Sequence, residues 1–107
     1  MPTYNKLVRD RIPDIIKKSG KLYNTRILSH SEYTMALKRK LQEEVNEYLQ
    51  AGHLKDQGEE LADILEVVYA LSEAPQMSVD ELDAIRRTKA QQRGRFESRV
   101  LLIDVQE

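Results

Sequence analysis

Apolar residues recur at helical spacing in four stretches of this chain. In RDRIPDIIKKSG, residues 9–20, Ile12, Ile15 and Ile16 make one side, Pro13 suits a first helical turn, and Gly20 can close the segment in a left-handed conformation. Asp10 is placed to cap this short helix. KLYNTRILS lacks a period and reads as extended or loop. Ser29 and Glu32 then form a capping box ahead of a long periodic run to about Ala51, which Gly52 ends. A second long run covers about Asp56 to Ala74, with DQGE as its cap and Pro75 preventing much continuation. The next starts at SVDE, residues 78–81, and reaches about Gly94. The closing FESRVLLIDV is apolar and β-branched, so it is either a short terminal strand or an arm that packs on a neighbour. The expected architecture is all-α, an antiparallel bundle of about four helices.

Two of the runs have acidic residues where a packing face should be apolar. At about 100° per residue, Leu37, Leu41, Val45 and Tyr48 fall within an arc of about 80°. Glu44 lies at the border of that arc, in the apolar sector between Leu37 and Ala51, with Glu47 about 60° further round on its flank and Glu43 on the more polar side. In EELADILEVVYAL, Leu61, Ile64, Leu65, Val67, Val68 and Leu71 share one broad face, with Glu60 inside it, Asp63 at its edge, and Glu59 and Glu66 opposite. The short connection makes these helices antiparallel neighbours, and Glu44, Glu47, Glu60 and Asp63 then converge.

Composition narrows the setting. A chain of 107 residues suits one domain, residues 1–107, with a modest core or one shared with another copy. Seventeen basic residues against 18 acidic ones give no global reason to bind nucleic acid or an anionic membrane. The absence of cysteine excludes disulfides and thiolate metal sites and fits the cytoplasm. His30 and His53 read as surface residues, and no apolar run reaches membrane-spanning length.

Four carboxylates in a partly buried cleft repel one another, and a hard divalent cation removes that cost. Oxygen-only ligands favour Mg²⁺, with Mn²⁺ as a substitute, and Mg²⁺ commonly also binds substrate phosphates. The plainer alternative is that these are ordinary helix carboxylates, solvated or weakly paired, with Glu43 and Glu44 facing Arg39, Lys40 or Tyr48.

EEVNE, residues 43–47, followed by ELAD, residues 60–63, resembles the EExxE and ExxD signature of MazG-like nucleoside triphosphate pyrophosphohydrolases. YNKLVRDRIP and KAQQRGRFESRVLL are similar to the ends of a small house-cleaning branch of that superfamily, so the resemblance covers nearly the whole chain. Arg95 stands where the resemblance leads one to expect a second glycine. The resemblance implies Mg²⁺ held by Glu44, Glu47, Glu60 and Asp63, and hydrolysis between the α and β phosphates to a monophosphate and pyrophosphate. Glu43 is the candidate for orienting or deprotonating the attacking water.

Basic residues should meet the phosphate oxygens: Lys6, Arg9 and Arg11 near the start, and Lys89 and Arg93 one helical turn apart. Tyr48 and Tyr69 read as packing residues, although an aromatic beside the cleft could stack on a base. The expected partner is a small nucleotide, without nucleic acid or membrane, and broad apolar faces on so short a chain imply a homodimer or homotetramer. Rival readings are phosphoribosyl-ATP hydrolysis and a non-catalytic helical dimerisation or interaction module.

Overall fold

The computed structural model describes residues 4–106. The described residues form four helices, α1 (Ile12–Lys18), α2 (His30–Gln50), α3 (Leu54–Glu73) and α4 (Val79–Arg93), an all-α arrangement as expected. No strand occurs among the described residues; beyond Gly94 the chain runs on as an arm, with Phe96, Leu101 and Ile103 each more than four-fifths exposed.

Local chemistry explains most of the boundaries. Pro13 sits in the first turn of α1, but Asp10 does not cap it: Arg11 is the cap residue and makes no side-chain cap bond. At α2 the capping box is complete, the Glu32 N–H donating to Ser29 Oγ at 3.3 Å and the Ser29 N–H to Glu32 Oε1 at 3.1 Å. Arg26 also donates to Glu32 at 2.8 Å. That bond, then the Ser29 bonds, lower the Glu32 carboxyl to about 2.

Helix α3 begins earlier than DQGE suggested, with His53 as the cap residue and Asp56 inside the first turn. The connection is shortened because Gln57 reaches back, its side-chain amide donating to the Ala51 carbonyl at 3.2 Å. Asp56 still favours the start of the helix through its charge. At the other end, Met77 N–H donates to the Ser72 carbonyl at 3.0 Å, and Gln76 takes the left-handed position with φ 71. Ser78 then caps α4, accepting from the Glu81 N–H at 3.1 Å. Gly94 ends α4 with φ 81 and ψ −177, a conformation that favours glycine, whereas Arg95 has no positive φ and needs none. A second glycine is therefore unnecessary for this turn.

The antiparallel pair α2–α3 is the trunk, and α4 packs on α3 alone. The seam centres on Leu37, 3% exposed, and Val67, 8% exposed. It does not centre on the middle of either apolar stripe: Val45, Leu61 and Leu65 remain exposed. Each helix is rotated so that the acid-bearing edge of its stripe enters the seam. One chain consequently leaves much apolar surface uncovered, and its radius of gyration is 18.3 Å against about 13 Å for a compact domain of this length. Among the described residues, no helix is long and apolar enough to cross a membrane.

Candidate metal centre

The rotation of the trunk helices brings carboxylates from both sides together. One oxygen from each of Glu44, Glu60 and Asp63 lies within 4.8 Å of the others, and the same holds for Glu43, Glu44 and Glu47. Glu44 belongs to both groups and is only 6% exposed. Glu60 and Asp63 are half-buried, while Glu47 lies at the open edge. Glu43, expected on the polar side, is half-buried next to Glu44.

Glu44 Oε2 and Glu60 Oε2 are buried without a hydrogen-bond partner among the described residues. Burial is the largest influence on Glu60, raising its carboxyl to about 7. Hydrogen-bonding reach to Glu44 and Glu47 and the repulsion of their charges add to the effect. Orphaned buried carboxylate oxygens are costly, and a hard cation coordinated by oxygen meets that cost directly. This donor set fits Mg²⁺ or Mn²⁺ and offers no nitrogen or sulfur to a softer metal.

Positive charge stands beside the acids. Arg9 Nη2 donates to Asp63 Oδ1 at 2.6 Å, so the irregular segment before α1 is tied to the middle of α3. Lys40 Nζ lies 3.4 Å from Glu44 Oε1 and 3.9 Å from Glu43 Oε1. A cavity of about 510 Å³ runs along the seam. Asp10, Glu44, Asp63 and Glu66 are its acidic lining, Lys6, Arg9 and Lys40 its basic part, and Leu7, Leu37, Val67 and Ala70 its apolar wall, with Tyr33 from α2.

The residues singled out in the sequence therefore divide. Glu44, Glu60 and Asp63 are brought together, with Glu47 adjoining through Glu44 and Glu60. Lys6 and Arg9 reach the same cavity. Lys89 and Arg93 do not: they are exposed on α4, which lines no part of the cavity and makes no packing contact with α2. Tyr48 and Tyr69 are half-buried and outside it. His30 and His53 are exposed at the starts of α2 and α3. Lys40 and Tyr33 are additions to the site. The i, i+4 spacing of Lys40 to Glu44 was the available signal, but it is shared by many ordinary surface pairs.

No known family profile matches this chain. A stretch of 50 residues, 47% of the chain, is 52% identical to an uncharacterized protein of Mycolicibacterium smegmatis and covers 50% of it. The match thus spans half the length of that curated relative. No solved structure matches.

Proposed function

We propose that this protein is a MazG-like nucleoside triphosphate pyrophosphohydrolase that uses Mg²⁺, or Mn²⁺ in its place, to release a nucleoside monophosphate and pyrophosphate. The observation that supports this reading most is the pair of buried, unpartnered oxygens, Glu44 Oε2 and Glu60 Oε2, on opposing helices. Glu44, Glu60 and Asp63 would hold the ion, with Glu47 closing the set from its edge. Bound there, Mg²⁺ supplies neutralising charge for the phosphates and acidifies a water.

Glu43 would orient the attacking water and accept its proton, and Lys6 and Arg9 would hold phosphate oxygens by charge-assisted hydrogen bonds. Water adds to phosphorus as the α–β bridging bond breaks, and pyrophosphate leaves. The nucleotide pool served is cytoplasmic. We further propose a homodimer or homotetramer, since Leu61, Leu65 and the Val100–Ile103 run are exposed in one chain. Lys89 and Arg93 would then act on phosphate only from the α4 of a neighbouring copy.

A panel of canonical, deoxy and damaged triphosphates, with phosphoribosyl-ATP as a separate arm, is incubated with Mg²⁺ and the products are separated. Pyrophosphate with a monophosphate is the expected result. Orthophosphate with a diphosphate would sink α,β cleavage, and turnover of phosphoribosyl-ATP alone would move the protein to that reaction. No Mg²⁺-dependent product from any nucleotide would favour the interaction module. Sedimentation of the same preparation should give two or four chains.

A further inference from the structure

We propose that Arg9 and Lys40 are exchangeable counter-charges of the carboxylate cluster, each holding one acid until a divalent ion takes it and then passing to a phosphate oxygen. The proposal rests on the metal-dependent reading above and adds an order of events to it.

The geometry supplies both halves of the exchange. Arg9 Nη2 occupies Asp63 Oδ1 at 2.6 Å, and Lys40 Nζ approaches Glu44 Oε1 at 3.4 Å. These are two of the three carboxylates that converge, so the chain places two single positive charges where a divalent ion would place its two. An oxygen that coordinates a cation is less available to a guanidinium or ammonium donor, and the two occupants repel one another. Glu44 Oε2 remains buried and unpartnered even with Lys40 beside its other oxygen, so the tethered charge satisfies the site incompletely.

Neither displaced charge has far to go. Arg9 lies in irregular chain before α1, so its guanidinium can swing without disturbing a helix. Lys40 is mostly covered, its side chain 21% exposed, and it lines the same cavity as Lys6 and Arg9. Released by the ion, both groups face the space in which phosphates would lie. Arg9 and Lys40 are positioning residues while they hold the acids and binding residues after the exchange.

Calorimetry on the full chain tests this with two probes, Mn²⁺ alone and then pyrophosphate added to Mn²⁺-saturated protein. Arg9→Met and Lys40→Met should each raise Mn²⁺ affinity about two- to fivefold, the scale of a partly exposed ion pair. Each should lower pyrophosphate affinity about tenfold, the scale of a lost hydrogen bond between charged groups. Lys38→Met removes the same charge from an exposed position on α2 and should shift neither affinity more than about twofold, which separates contact from general field. Circular dichroism checks folding, and Lys40→Gln carries the same expectation if methionine at the seam unfolds the chain. Mn²⁺ affinity that stays level or falls in these variants, or pyrophosphate affinity that holds, overturns the exchange. If the unaltered protein binds no Mn²⁺, the functional reading falls with it. If it binds Mn²⁺ and releases pyrophosphate while the two affinities move together, only the exchange is lost.

Discussion

Glu44 of α2 and Glu60 of α3 face one another across the trunk seam, each with a buried carboxylate oxygen that has no hydrogen-bond partner among the described residues. Such a pair opposes folding and suits a cation. Glu60→Gln keeps the shape and removes a charge, so at pH 8 without metal its urea midpoint should lie above that of the unaltered protein. Its turnover should fall by at least about 100-fold, since removing a ligand costs no less than removing an outer-shell partner does. A lower midpoint would mean that the Glu60 charge stabilises the seam.

Acid and base should act in opposite senses at two glutamates. Glu60 is raised to about 7 in the fold from 4.5, so between those values the folded chain retains a proton that the unfolded chain has lost. Stability therefore falls as pH rises through that window. Glu32 is lowered to about 2, chiefly by Arg26, so its contribution is present above 4.5 and is lost as pH falls toward 2. Urea midpoints across pH should show both limbs. In Glu60→Gln the loss toward neutral pH should disappear, and a curve parallel to that of the unaltered protein would remove the assignment.

Cation binding should be visible without any substrate. Mn²⁺ or Mg²⁺ at about 100 times its dissociation constant adds about 2.7 kcal/mol, enough to raise the melting temperature by roughly 10 °C or more. EDTA should reverse the rise, and Glu44→Gln should abolish it. A rise that survives Glu44→Gln would place the ion elsewhere.

Ser29→Ala separates stability from chemistry. It removes the side chain that accepts from Glu32 N–H at 3.3 Å and should cost about 1 kcal/mol in urea denaturation. Glu44 lies about 22 Å further along α2, at 1.5 Å per residue, so turnover under folded conditions should be unchanged. A large loss of turnover in a fully folded variant would extend the site to the start of the helix.

Much of this was legible in the sequence where the cause is local. The Ser29–Glu32 box, the Ser78 cap, Pro13 and Gly94 act within a few residues, and they mark the helices closely. Periodicity also placed Glu44 and Glu60 on packing faces. It could not reveal the rotation that turns the acidic edges inward while Val45, Leu61 and Leu65 stay exposed, because a helical wheel has no second helix. The Arg9–Asp63 bond spans 54 residues and depends on where an irregular segment lies. Lys89 and Arg93 showed the reverse problem, since their helical spacing was readable but the direction in which α4 leaves α3 was not.

The acidic seam sets two kinds of selection against each other. A library varied at positions 44 and 60 and sorted only for resistance to unfolding should drift toward glutamine, which fills the same space without mutual repulsion. The same library sorted for pyrophosphate release should return to glutamate. The middle of the trunk is thus a place where a more durable protein and a working one call for different residues.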